Sequence, residues 1–252
     1  MNFDNNIEHI VYGLHAVEAV LDNPFRTVFS LYINQERKDK RLEKLLTNAK
    51  LKGIAVIDMK PQTMKQNFPD IKHQGVIAHV SKLPNFTEQD LDALLDLNTR
   101  PLLILILDGV TDPHNLGACL RSADAVGVNF VIIPKDNSAP ITAVVNKVAC
   151  GATETVPLIR VTNLARTMER LKQAGVWLYG AAGEAETSLY ALNTTGHFGI
   201  VLGAEGTGLR RLTREHCDGL FSIPMQGSVS SLNVSVATGV CLYEVLRQRN
   251  QL

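Results

Sequence analysis

The chain has 252 residues, and 25 Lys and Arg balance 25 Asp and Glu, so its formal net charge is zero. Hydrophobic residues make up 45% and charged residues 20%, a composition typical of a soluble globular protein that can bury a substantial core. Zero net charge excludes overall electrostatic attraction as an argument for nucleic-acid binding.

The N-terminus and the cysteines indicate the compartment. Residues 1–6 are polar and acidic rather than basic and then apolar, and no stretch approaches 18 consecutive apolar residues. The four cysteines show no C-x-x-C spacing, which argues against a secreted disulfide framework, and the seven histidines show no metal-ligand spacing. We therefore expect a cytoplasmic protein that contacts no membrane and holds no metal.

Residues 1–82 predict a small α/β domain. Apolar side chains recur at helical spacing between residues 42 and 49, which gives one helix a face to bury. Residues 35–52 hold seven basic residues against three acidic ones; composition favours a solvated helix face with paired charges, and an RNA-facing patch is the alternative. The predicted elements are helix 13–21, strand 28–33, helix 39–52, strand 54–57 and strand 75–80.

Residues 83–100 change character, since they are polar and acidic with a single Arg100. We predict that this stretch is a linker, with room for a short helix over residues 88–97.

From residue 101 onward, short apolar strands alternate with amphipathic helices. This pattern is typical of a mainly parallel sheet covered by helices on both faces, with its ligand edge at the carboxyl ends of the strands. The predicted strands are 102–107, 130–133, 155–161, 176–181, 199–202 and 220–223, and the predicted helices are 116–126, 141–150, 164–173, 209–217 and 231–249.

Three segments at this edge are rich in turn-forming residues: 108–117, with Arg121 in the following helix, 202–208, and 223–233. The glycines of the second segment resemble a dinucleotide fingerprint, but Glu205 stands where a glycine is required and no carboxylate follows the next strand. No G-x-x-x-x-G-K-[ST] motif occurs. Nicotinamide and nucleoside-triphosphate chemistry are therefore disfavoured.

The three segments resemble, in order and spacing, the motifs of the SpoU/TrmH family of RNA ribose 2'-O-methyltransferases. The first motif is Asp112-Pro-His-Asn115-Leu-Gly117, the second runs from Leu202 to Gly208, and the third from Ile223 to Ala237. The resemblance implies a SPOUT fold with a deep trefoil knot, S-adenosylmethionine as the methyl donor, and a homodimer. Residues 1–82, with Tyr12-Gly-Leu-His15 and His73-Gln-Gly75, resemble the L30e-like RNA-binding domain that such enzymes often carry.

The resemblance assigns catalytic positions to Asn115, Arg121, Glu205, Ser231 and Asn233. Without it, Asn115 is the predicted N-cap of helix 116–126, Arg121 a solvated helix residue and Glu205 an exposed loop carboxylate, while Ser231 and Asn233 are predicted caps of the last helix. Family proposals make the arginine a general base, but a guanidinium stays protonated in proteins, so a role in holding RNA phosphate and orienting the ribose is plainer.

The cofactor positions implied by the resemblance lie in the second and third motifs. Glycines there allow the backbone to approach a ligand closely, and the apolar side chains have core packing as their alternative role. These positions are Leu202, Gly203, Gly206, Ile223, Met225 and Leu232.

The function implied is methylation of the ribose 2'-hydroxyl of a guanosine in the peptidyl-transferase region, with 23S rRNA or a large-subunit precursor as partner. Two alternatives remain open: a tRNA ribose methyltransferase of the same family, and a non-catalytic RNA-binding assembly factor. An apolar stripe from Leu232 to Leu246 on the last helix predicts core packing or a dimer contact.

Overall fold

The structure is a computed structural model that describes residues 9–23, 25–69, 71, 73–82, 85–96 and 100–250. Two compact units form, Met1–Pro84 and Asn85–Leu252. The polar segment 1–6 and Leu97, the last residue of the predicted helix 88–97, lie outside the described residues.

The first unit is a four-stranded sheet with helices on both faces. Alternate strand residues face two clusters: α1 and α2 pack over Leu31 and Ile33, and α3 packs over Tyr32 and Ile77. The sheet order is β1-β4-β2-β3, with β4 antiparallel to both neighbours and β2 parallel to β3. The elements are β1 Ile10–Tyr12, α1 Leu14–Asp22, β2 Val28–Asn34, α2 Lys40–Leu51, β3 Ala55–Met59, α3 Pro61–Asn67 and β4 Val76–Val80.

The basic helix α2 is partly neutralised by acidic neighbours. Lys52 lies 3.0 Å from Asp22, and Lys44 lies 3.7 Å from Glu18 on the adjacent helix α1. The N-cap Asp39 accepts hydrogen bonds from two backbone N–H groups of the first turn. These contacts agree with the interpretation of a solvated helix face with paired charges.

The second unit is built on a seven-stranded sheet in the order β11-β9-β10-β6-β7-β8-β5, and its strands pair in parallel, as predicted. Its elements are β5 Phe86–Thr87, α4 Leu91–Asp96, β6 Leu103–Asp108, α5 Pro113–Val126, β7 Phe130–Pro134, α6 Ala143–Ala149, α7 Ala152–Thr155, β8 Leu158–Val161, α8 Leu164–Gln173, β9 Trp177–Ala181, a 3-10 turn Leu189–Ala191, β10 Phe198–Gly203, α9 Arg211–His216, β11 Gly219–Phe221 and α10 Val234–Arg249.

The central strand β6 shows why the sheet forms. All six of its residues are buried, because alternate side chains enter different cores on the two faces. Leu103, Leu105 and Leu107 join the core that includes α5 and α10, whereas Ile104 and Ile106 join the core that includes α4 and α8.

Most of the stretch predicted as a linker lies inside the second unit. Strand β5 pairs with β8, and Leu91 and Leu94 of α4 are buried in the sheet core. Two of the acidic residues that suggested a linker pair with basic side chains of α8: Arg166 lies 2.9 Å from Glu88, and Arg170 donates to Asp92 at 2.8 Å.

Two predicted helix starts need correction. Helix α5 begins at Pro113 rather than at residue 116, and its N-cap is Asp112, whose carboxylate accepts from the His114 N–H at 3.0 Å. Asn115 is therefore inside the first turn and is not the cap. Helix α10 begins at Val234 with Asn233 as its N-cap, so the predicted cap at Asn233 is confirmed and Ser231 precedes the helix.

Arg249 holds the end of α10 against the sheet. Its guanidinium donates to four backbone carbonyls: those of Thr194 and Pro101 at 3.0 Å each, Leu102 at 2.9 Å and Gly196 at 2.8 Å. These carbonyls precede strands β6 and β10, so one side chain joins the last helix to the starts of two central strands.

The four cysteines are free. Burial raises the pKa of the Cys119 thiol to about 11 and that of Cys241 to about 12, whereas Cys150 is exposed. Across the described ranges, no helix has the length and apolar character needed to cross a membrane, and no cluster of His, Cys, Asp and Glu is arranged to bind a metal.

Candidate active site

The site lies at the carboxyl edge of the second sheet, where the strand order changes direction. From β6 the chain continues to β7 and β8 on one side, while β10 and then β9 lie on the other side. In open parallel sheets such a switch point leaves a crevice that binds ligands. Helix α5 follows β6 at this point, and the loop after β10 lies beside it.

Asn115, Glu205 and Asn233 form one hydrogen-bonded cluster. The Asn115 amide donates to Glu205 Oε1 at 3.1 Å, and the Asn233 amide donates to Asn115 Oδ1 at 3.1 Å and also to Glu205 Oε1. The Val234 N–H lies 3.4 Å from the same carboxylate oxygen. Three predicted site residues, separated by about 90 and 28 positions along the chain, therefore meet at one point.

The positions of Asn115 and Asn233 follow from helix starts. Asn115 is in the first turn of α5, and Asn233 caps α10 by accepting from the Ser235 N–H at 2.9 Å. Because Asn233 Oδ1 is used by the cap, its amide N–H₂ group is directed to the other two members of the cluster.

The loop that carries Glu205 is a tight turn. Ala204 and Gly208 form an isolated antiparallel bridge, with the Gly208 N–H donating to the Ala204 carbonyl at 2.9 Å. Gly206 has φ of 79°, a left-handed conformation that favours glycine. At Gly203, a Cβ would lie 2.1 Å from the backbone carbon of Gly208, so only glycine fits at the base of the turn.

A cavity of about 680 Å³ lies next to the cluster. That volume suits a nucleoside-sized small molecule. Its walls come from the loops after β9, β10 and β11 and from the start of α10. The lining includes Glu205, Ser231 and Asn233 and all six predicted cofactor positions, Leu202, Gly203, Gly206, Ile223, Met225 and Leu232.

The match to known proteins covers both units. A sequence model of the SpoU rRNA Methylase family matches residues 102–243, which is more than half of the chain. The chain belongs to the SpoU rRNA methylase family. A second model, for RNA 2'-O ribose methyltransferase substrate binding, matches residues 10–86. The family predicted from the three motifs is confirmed.

Individual relatives of this SpoU-family chain align over nearly its full length. It is 55% identical to the 23S rRNA (guanosine-2'-O-)-methyltransferase RlmB of Vibrio vulnificus over 239 residues, 95% of this chain and 96% of the relative. The RlmB of Pasteurella multocida is 56% identical over 240 residues, 95% and 98% of the two chains. The crystal structure of the SpoU methyltransferase AviRb from Streptomyces viridochromogenes with AdoMet aligns with a TM-score of 0.74, 26% identity, and 96% and 91% coverage.

Arg121 stands apart from the cluster of Asn115, Glu205 and Asn233. It lies on α5 six residues after Asn115, is exposed, and does not line the cavity. Within the described ranges it makes no hydrogen bond or ion pair with the cluster. The structure therefore brings four of the five predicted catalytic residues to the cavity or its polar cluster and leaves Arg121 facing solvent.

Sequence reasoning missed a charged pair at the cavity wall. Glu184, in the loop after β9, forms an ion pair with Arg214 of α9, and both residues line the cavity. A backbone hydrogen bond within Glu184 and the Arg214 guanidinium hold the pKa of that carboxyl below its usual range. A signal existed, because Gly183-Glu184 begins two residues after the predicted strand 176–181, at the expected ligand edge.

Proposed function

We propose that this protein is an S-adenosylmethionine-dependent methyltransferase, active in the cytoplasm, that methylates the ribose 2'-hydroxyl of a guanosine in the peptidyl-transferase region of 23S rRNA. One observation supports it most strongly: the cavity shares Glu205 and Asn233 with the polar cluster. A methyl donor in the cavity and a ribose at the cluster would then be adjacent. The RlmB relatives, more than 50% identical, support the choice of substrate.

The cavity residues fit S-adenosylmethionine. Leu202, Phe221, Ile223 and Met225 give apolar walls for the adenine, and the glycine-rich loop lets backbone groups approach. When bound, this co-substrate supplies a methyl group on a cationic sulfonium that becomes neutral on transfer. Glu205 lines the cavity, so its carboxylate would favour binding of a cationic group there.

Within the cluster, one group can accept the proton of the 2'-hydroxyl. The amides of Asn115 and Asn233 are not basic, which leaves the Glu205 carboxylate. Asn115 and Asn233 orient Glu205 by donating to Oε1. The exposed Arg121 holds an RNA phosphate by a bidentate contact and so positions the ribose.

The active enzyme is a homodimer in this proposal. Val236 and Tyr243 on α10 are exposed to 51% and 55%, seven residues apart on one helix face, with Val240 between them. Exposed apolar side chains at this spacing support helix packing against a second copy. Tyr243→Glu should therefore convert a dimer to a monomer in light scattering after size exclusion.

The chain after β11 is threaded as a deep trefoil knot, as the resemblance to SPOUT proteins implies. Residues 223–233 lie along the same cavity as the loops after β9 and β10, and α10 then packs against α5. This shared lining, followed by the packing of α10 on α5, supports the threading.

The first unit binds RNA as an L30e-like domain. Its match to the substrate-binding model supports this role, and residues 1–84 hold 12 Lys and Arg against nine Asp and Glu. The positive charge of this unit is offset by the rest of the chain, which is why the total is zero.

The test is transfer of labelled methyl from S-adenosylmethionine to unmodified 23S rRNA, 16S rRNA and tRNA, with the product mapped by primer-extension stops at low nucleotide concentration. One ribose site in 23S rRNA is the expected result. Glu205→Gln should lose turnover, whereas Glu215→Gln, an exposed control on α9, should keep it. Labelling of tRNA would transfer the assignment to the tRNA enzymes, and cofactor binding without labelling of RNA or of precursor particles would indicate a non-catalytic assembly factor.

A further inference from the structure

Asp108 is a buried carboxylate that the chemistry described above does not use. It is the last residue of β6, its side chain is 0% exposed, and it lies at the carboxyl edge of the sheet. An ionised carboxylate in such a position is costly unless it is paired and hydrogen-bonded. Its partners therefore indicate what it does.

Arg210 satisfies the carboxylate at several points. The Arg210 backbone N–H donates to Oδ2 at 3.1 Å, and its guanidinium donates from Nε to Oδ1 at 2.6 Å and also from Nη2. Arg210 directly follows the loop 203–209. Gly203, the last residue of β10, begins that loop and pairs with Asp108 at the end of β6. Both ends of the loop thus lie beside one buried charge.

We infer that Asp108 is a positioning residue that acts through Arg210 to hold the loop 203–209 against the cofactor cavity. This inference rests on the proposed function, since it assigns a role in the same site. The loop contributes every residue from Gly203 to Leu209 to the cavity lining, and it carries Glu205 into the polar cluster. When both ends of this loop are fixed, the backbone that lines the cavity keeps its position, and Glu205 stays within hydrogen-bonding distance of Asn115.

The charge matters as well as the shape. In an Asp108→Asn variant the neutral amide side chain would still accept from the Arg210 N–H, but it would leave the guanidinium, whose side chain is 49% exposed, free to turn into solvent. The loop base would then lose its side-chain contact while the strand kept its packing. Binding geometry at functional sites tolerates displacements of about 0.5 Å, so such loosening is felt at the cavity.

Asp218 offers a matched control in the same sheet. It accepts from the Leu178 N–H at 2.8 Å and pairs with Lys172 at 3.2 Å, and its side chain is 17% exposed. It therefore combines a backbone hydrogen bond with an ion pair, as Asp108 does, but it precedes β11 and does not line the cavity. Replacing Asp218 therefore shows how far the loss of a carboxylate with only a structural role changes stability and cofactor binding.

The experiment compares wild type, Asp108→Asn and Asp218→Asn in three ways: by calorimetric titration of S-adenosylmethionine, by kcat and the KM for S-adenosylmethionine in methylation of 23S rRNA, and by thermal melting. We expect both variants to melt earlier, but only Asp108→Asn to raise KM and Kd for S-adenosylmethionine, by about tenfold or more. Arg210→Gln, at a half-exposed position, should reproduce the KM change and keeps the test available if Asp108→Asn does not fold.

Unchanged KM and Kd in both Asp108→Asn and Arg210→Gln would overturn the inference, as would an equal rise in Asp218→Asn. A wild-type protein that binds no S-adenosylmethionine would instead refute the proposed function, so the two failures are distinguishable.

Discussion

Replacement of Gly203 by alanine should weaken S-adenosylmethionine binding through a steric clash within the backbone. The added methyl would lie 2.1 Å from the Gly208 carbon and 2.3 Å from the Leu209 nitrogen, whereas ordinary contacts begin at 3.4 Å, so the loop must move by about 1.3 Å. Rotation of a side chain cannot relieve a contact with backbone atoms. Overpacking of this kind costs about 1–3 kcal/mol, which corresponds to a Kd weakened by roughly 5- to 150-fold if the displaced loop binds poorly.

The assay is calorimetric titration of S-adenosylmethionine into wild type, Gly203→Ala and Gly227→Ala. Gly227 precedes α10, and an added Cβ there meets no atom within 4 Å, so this control should bind as wild type does. A Gly203→Ala variant with the Kd and melting temperature of wild type would show that the loop accommodates the added methyl at no cost, which would refute the packing argument.

Four further predictions concern other parts of the chain. Arg121→Ala should lower kcat by about 100-fold or more and leave the Kd for S-adenosylmethionine within about threefold; an equal loss of both would contradict its role in positioning RNA. Arg249→Ala should lower the unfolding free energy in urea by about 2–4 kcal/mol, because four carbonyls lose their donor. Iodoacetamide at pH 8 should modify Cys150 in the native protein and spare the buried thiols, as read by mass spectrometry. A hydrogen bond from the Arg247 guanidinium lowers the pKa of Glu244, so the pair should stabilise the fold fully above about pH 4.3, the ordinary pKa of glutamate. This stabilisation should be lost as the pH falls through the lowered pKa of Glu244. The melting temperatures of wild type and Glu244→Gln should therefore differ at pH 7 and converge at acid pH.

The sheet of the second unit was predictable because strands buried on both faces become continuous apolar runs, as in β6. Short elements could not be predicted from the sequence. Helix α3 buries Met64 alone, and β1 has three residues, so neither carries a detectable period. Helix α7 lies where the predicted strand 155–161 begins, because four residues are too few to show helical spacing.

The site was predictable where a local motif carried it. Asn115, Glu205 and Asn233 each lie in a recognisable turn segment, and the cavity residues lie in the same segments. The cap at Asp112 had a local signal, since aspartate followed by proline is a common helix start. The Asp108–Arg210 pair had none, because the partners are 102 positions apart and only the folded sheet brings them together.

The position of α10 has a consequence for how the protein becomes active during synthesis. Asn233 caps this helix, and Arg249 fastens its far end to β6 and β10, strands made long before it. Chains emerge from the ribosome in order, and units fold as they become complete. The first unit can therefore fold early, while the part of the cavity wall formed by Asn233, Val234 and Ala237 is in place only after the start of α10 has been made. A growing chain whose first unit has already folded thus still lacks the part of the cavity wall that the start of α10 supplies.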